Sequence, residues 1–206
     1  MITDLQKGEL VAEFSELGDE DATLQKEVYA HFGLLFFKFS LVEHSLINIV
    51  TFHHVGNEQS QGKIQCKFQW EKVYDSGYKI AKKMTFGNLV RAVGRLDEFN
   101  SLKTKLSEIK ECRDYFAHHF FREEIGLCLS DEGCWHLLWE IQQLRIDLIQ
   151  LDDQLRIPTE QMCKRLAVPI LTEEMLWQID REMRAEVNVS LAAGNPEFGW
   201  KKHNKQ

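Results

Sequence analysis

Arg113, Asp114 and His118 put a permanent positive charge, a carboxylate and a titratable imidazole within roughly one and a half turns of a helix. Together these groups suit a phosphodiester. A guanidinium pairs with the non-bridging oxygens at two points, and an imidazole takes or gives a proton close to neutral pH. His119 follows directly and offers a second imidazole.

The surrounding pattern says what must position them. Leu102, Leu106, Ile109, Phe116 and Phe120 form an apolar stripe at steps of three and four, with one gap, and Arg113 fills that gap. Arg113 is therefore expected to point along the face to be buried, where an unpaired guanidinium is costly. It needs an anion, either a carboxylate such as Glu43 or a ligand phosphate. At 100° per residue His118 lies about 140° from Arg113, and His119 about 120° away on the other side. Asp114 precedes His118 by four residues and can hydrogen-bond its imidazole. Arginine and histidine can then meet through the arginine's reach, through distortion near the helix end, or across a two-fold axis between two helices. A plainer reading covers the same residues: a buried structural ion pair for Arg113 and a surface Asp–His bond.

The chain around this helix reads as all-helical. Prolines are few (158, 169 and 196), and apolar residues recur at three and four. Expected elements are a short amphipathic helix over 4–17, a long apolar helix over 22–54 lying inside the bundle, a polar loop over 55–69, and helices over 70–83 and 86–97, the latter capped by Thr85. The motif helix is expected over 102–121, a long helix over 131–156 ended by Pro158, and a last helix over 172–192. Leu137, Ile141, Leu144, Leu148, Leu151 and Leu155 make a sustained seam, the core face of an antiparallel bundle or a dimerising coiled coil. A loose tail is expected over 193–206.

The totals narrow the function classes. With 206 residues and 44% hydrophobic content, the chain has enough material for one core, and a single domain is expected. The 5 cysteines are odd in number and show no close CxxC pair, so neither a disulfide framework nor a metal cluster is expected, and the expected home is the reducing cytoplasm. The N-terminus shows no signal-peptide pattern. The apolar window over 32–52 is interrupted by Lys38, Glu43, His44 and Asn48, which favours a buried helix over a membrane span. A net charge of −7 means that any nucleic-acid contact must be local or supplied by a dimer groove. His53 and His54 as metal ligands diverge on a helix and read better as a surface pair. Trp70, Trp135, Trp139, Trp177 and Trp200 can stack bases but fit core or interface positions better.

The run Arg113-Asp114-Tyr115-Phe116-Ala117-His118 resembles the signature of the HEPN superfamily (higher eukaryotes and prokaryotes nucleotide-binding domains): an arginine, a polar residue, then a histidine after four to six residues. The order of parts is similar too. A long apolar helix carries Leu41-Val42-Glu43-His44-Ser45-Leu46, then come Thr85-Phe86-Gly87-Asn88-Leu89-Val90, the motif helix and another long helix. The resemblance covers roughly residues 25–156. It implies an all-α bundle that forms a homodimer with the two motifs facing each other. In many members it implies a metal-independent endoribonuclease, without cofactor, acting as a toxin in toxin-antitoxin or anti-phage systems. Carried over, Arg113 clamps the phosphate, His118 is the acid/base for 2′-hydroxyl attack on RNA, and Asp114 orients it, with His119 and Glu43 as possible supports. An antitoxin or other regulatory protein is an implied partner. One departure stands out: some members have a modifiable Tyr two residues after the histidine, and here that position is Phe120. The alternative is a non-catalytic module of the same type that binds nucleotide or RNA, or serves as a helical interaction subunit.

Overall fold

The computed structural model describes residues 23–168, and beyond them Trp177, Gln178, Arg181, Ala185 and Val189 as helical. The expected helix over 4–17, the tail over 193–206 and the rest of the expected last helix lie outside the described residues. The chain divides into one unit spanning Asp19–Pro169 and a second made of Met1–Gly18 and Ile170–Gln206. All the elements that follow belong to the first.

The described residues are all-α, as expected, with six α-helices and no strand: α1 (Thr23–Ser60), α2 (Lys67–Ala81), α3 (Phe86–Val93), α4 (Lys103–His118), α5 (Phe120–Glu124) and α6 (Asp131–Arg165). Short 3-10 turns at Asp97–Leu102 and Ile125–Leu129 connect α3 to α4 and α5 to α6. The core is one apolar cluster built largely by α1 and α6. Val28, Leu35, Val42, Leu46 and Ile49 of α1 meet Leu137, Ile141, Leu148, Leu151 and Leu155 of α6, all of them buried. The leucine seam thus faces the interior, with Leu144 only partly buried.

The helix directions follow from the cross-contacts. His31, Ser45 and Gln59 of α1 bond in that order to Arg145 and Asp152 of α6 and to the carbonyl of Ala167, so these two helices run parallel. Phe52 and His44 of α1 meet Tyr74 and Tyr78 of α2, an antiparallel pair as expected for sequence neighbours. Parallel packing of α1 and α6 is possible because the intervening helices carry the chain back along the bundle.

Several boundaries differ from expectation. α1 runs on to Ser60 in place of a loop from 55, because Val55 is fully buried and Gly56 packs against the side chain of Leu166, where an added Cβ would come 2.5 Å from Leu166 Cβ. The helix stops where Gly62 takes φ 72° and the N–H of Lys63 bonds to the carbonyl of Glu58 at 3.1 Å. α6 passes through Pro158 because Leu155, Pro158 and Met162 are all buried on one face, and that packing outweighs the lost backbone bond. It ends with the same wrap: Ala167 at φ 52°, and the N–H of Val168 on the carbonyl of Cys163 at 2.9 Å. Thr85 does cap α3, its hydroxyl accepting from the N–H of Asn88 at 3.3 Å, and Ser130 caps α6 likewise through Gly133.

α1 is not apolar-packed all round. Leu34, Phe37 and Leu41 are exposed on the side away from its buried face. The stretch Leu24–Ser60 is long and apolar enough to cross a membrane by composition, although its inner face is part of the core.

Candidate functional site

α4 carries the motif, and its packing explains its shape. Leu106 and Ile109 are buried, whereas Cys112, Tyr115 and Phe116 are only partly so. The helix breaks at His119, whose backbone sits at φ −123° and ψ −37° while its N–H still bonds to the carbonyl of Tyr115 at 2.8 Å. Phe32 of α1 packs against the start of the next helix. Its ring lies 5.3 Å from that of Phe120 and 4.4 Å from that of Phe121. Phe120 also stacks on Phe116 of α4 at 4.7 Å, so one aromatic cluster spans the break. Across the break, the hydroxyl of Tyr115 donates to Glu124 at 2.7 Å, which pushes the phenol up to about 12.

Arg113 does not lie in the interior. It is half-buried on the flank of α4, and its anion is the adjacent carboxylate, with one guanidinium nitrogen 3.4 Å from Asp114 Oδ1. No ion pair joins it to Glu43, which sits half-buried on α1. The apolar stripe misplaced it because the stripe shifts towards Cys112 and Tyr115 as α4 leaves the core, and Arg113 turns outward with that shift.

Asp114 is held by other partners than expected. Lys110 donates to it at 3.0 Å and Arg113 at 3.4 Å, and the expected bond to His118 is not formed. The lysine's hydrogen bond holds this carboxyl below the usual range against an upward push from burial, and the charge of Lys110 with the hydrogen bond and charge of Arg113 adds to the lowering. His118 is exposed in the last turn of α4 and makes no hydrogen bond among the described residues. Its ring stands 6.5 Å from that of His119, nearly perpendicular at 86°. His119 is engaged: its Nδ1 faces Arg122 and lies 3.3 Å from Glu123. The site therefore offers an accessible guanidinium, partly neutralised by its neighbour, and an unencumbered imidazole one turn further on.

A second polar cluster escaped the sequence reading. Arg165, at the end of α6, donates to Glu98 at 2.6 Å, and both border a cleft of about 560 Å³ with His53 and Arg95. Burial pushes the Glu98 carboxyl upward, but the hydrogen bond and charge of Arg165 prevail and hold it below its ordinary value. Burial, then the charge of Arg165, lowers His53. His54 does not join it: the ring of His54 packs over Gly77, where an added Cβ would meet it at 2.8 Å. Among the described residues no group of three or more His, Cys, Asp or Glu is placed to hold a metal ion. The 67-residue separation of Glu98 and Arg165 left no local signal for this pair.

The tryptophans separate into two kinds. Trp70 stacks on Tyr74 with centroids 5.2 Å apart, while Trp135 and Trp139 stand exposed on α6 rather than in the core. Trp177 is exposed as well, and Trp200 lies outside the described residues.

No family model, curated protein or solved structure matches this chain.

Proposed function

We propose that this protein is a metal-independent endoribonuclease of HEPN type, acting in the cytoplasm as a toxin in a toxin-antitoxin or anti-phage system. The observation that carries the reading is the Arg113–Asp114–His118 run at the outer end of α4, where a guanidinium and an unbonded imidazole are both open to a ligand. His118 takes the proton from an RNA 2′-hydroxyl that attacks the neighbouring phosphorus, the P–O5′ bond breaks as the imidazolium returns that proton to the 5′-oxygen, and a 2′,3′-cyclic phosphate remains. Arg113 offsets the charge that grows on the non-bridging oxygens. Two copies with their motif helices facing would bring two of each group to one groove, supplying the convergence that a single α4 lacks.

A second reading is a non-catalytic RNA-binding or helical interaction module. It is favoured by the commitment of Asp114 to Lys110 and Arg113, which leaves His118 without an orienting carboxylate.

Incubating the purified chain with total RNA in EDTA separates the two. Cyclic-phosphate ends that disappear in folded Arg113→Ala and His118→Ala variants are the expected result. Intact RNA across salt and pH, or cleavage undiminished in both variants, overturns the ribonuclease reading.

A further inference from the structure

Between α3 and α4 runs a groove of about 320 Å³ with four cations in its walls, Arg91, Arg95, Lys103 and Lys110, and no carboxylate among the lining residues. The backbone holds the two lysines in place. An added Cβ at Gly87 would come 3.3 Å from Cε of Lys110, and one at Gly94 would come 3.5 Å from Cγ of Lys103. The glycines stand two turns apart along α3 and the lysines two turns apart along α4. The helices thus pass antiparallel, with each lysine stem laid against a bare backbone position and Ser107 between them.

Little of this charge is neutralised. Lys110 pairs with Asp114 at the mouth, and Arg91 donates to the amide oxygen of Asn88 at 3.1 Å. Neither Arg95 nor Lys103 makes an ion pair among the described residues. In a chain of net charge −7, four cations converging on one narrow cleft form a local field that attracts a polyanion. The field also has a direction. Counting at 100° per residue, Lys103, Ser107, Lys110, Asp114 and His118 fall within about 80° of one another on α4, a strip roughly 22 Å long. Glu111 borders this strip, and Asp114 within it is offset by Lys110 and Arg113.

We infer that the α3–α4 groove is the track for the phosphodiester backbone of single-stranded RNA and leads the strand to His118. The choice of RNA as the polyanion rests on the ribonuclease reading; the demand for a polyanion rests on the groove alone. Cations of this kind contact phosphates rather than base edges, so binding is sequence-tolerant and salt-dependent.

The test uses the full-length His118→Ala protein, which binds without cutting, with a fluorescein-labelled single-stranded RNA followed by anisotropy over a salt series in EDTA. Arg95→Glu with Lys103→Glu should weaken binding at least about tenfold and flatten the slope of log affinity against log salt by roughly 1.4. Lys72→Glu with Lys79→Glu, exposed on α2 and equal in net charge change, should leave affinity within about twofold. Circular dichroism confirms that each is folded. Equal losses in the two double variants, or no RNA binding by His118→Ala, overturn the track. If the groove binds RNA and the wild type never cleaves, the track stands and the ribonuclease reading fails. If the wild type cleaves and the Arg95/Lys103 double variant in the wild-type background binds and cleaves equally well, the reading stands and the track is overturned.

Discussion

Nζ of Lys110 stands 3.0 Å from Oδ2 of Asp114, one turn along the same face of α4. This bond, rather than one to His118, decides where the carboxylate points. Because the folded pKa of Asp114 is depressed, the pair stabilises the protein above the unfolded value of about 3.9, and that contribution is lost as pH falls through the lower folded value. Both side chains are 40% exposed, so Asp114→Asn should cost only about 0.5 kcal/mol at neutral pH. Urea unfolding of both proteins should show that gap at pH ~7, its narrowing as pH falls below about 3.9, and its shrinkage in high salt. A gap that ignores pH would mean the carboxylate is not what Lys110 holds.

The two adjacent histidines should behave differently. His118 is unbonded, whereas His119 is engaged by Arg122 and Glu123. Under the ribonuclease reading, His118→Ala should slow cleavage by about 10²–10⁴-fold, the usual weight of a general acid/base. His119→Ala should retain most of the rate. Initial rates on one RNA substrate in EDTA decide it, and the reverse order would assign proton transfer to His119.

Arg165 ties the end of α6 to the 3-10 turn before α4. Its partner Glu98 has a side chain only 15% exposed. Arg165→Ala leaves that carboxylate sheltered and unpaired, so a loss of about 1–3 kcal/mol is expected in chemical denaturation. Arg165→Ala combined with Glu98→Gln should recover part of it, since no charge is then stranded. A double variant as weak as the single one would show that the arginine acts through packing alone.

Two backbone positions carry each other's ideal residue. Gly33 sits exposed inside α1 with nothing within 4 Å of an added Cβ, so Gly33→Ala should raise stability by about 0.5–1 kcal/mol. Ala167 holds the left-handed turn that ends α6, at φ 52°, so Ala167→Gly should stabilise by about 1 kcal/mol. Thermal melts should rise for both and further for the pair, as the sites share no contact. A lower melting temperature for Ala167→Gly would show that the alanine side chain contributes contacts worth more than the turn costs.

The helical class was legible because Leu137, Ile141, Leu148, Leu151 and Leu155 repeat at steps that only a helix turns to one side, and all five are buried. Helix ends were less legible. Gly56 and Pro158 look like punctuation, yet both lie inside helices, because what they touch, Leu166 in one case and the α1–α6 core in the other, is remote in sequence. At the candidate site, residue types and spacing located Arg113, Asp114 and His118 on one helix. Spacing could not choose between bonds forwards and backwards from Asp114, since Lys110 and His118 are both four residues away and the lysine's fixed charge wins. The break at His119 was hidden because no glycine or proline marks it in Ala117-His118-His119-Phe120.

Pro158 has a consequence for how α6 opens. Lacking an N–H, it leaves the carbonyl of Gln154 without its donor from the next turn, so the hydrogen-bonded ladder of α6 is weakest there. Residues 159–165 can then separate from α1 without unzipping the ladder that carries the leucine seam. Their amide protons should exchange with solvent as a group of their own, governed by the grip of Leu166 on Gly56, while those over 137–155 exchange only when the whole core gives way.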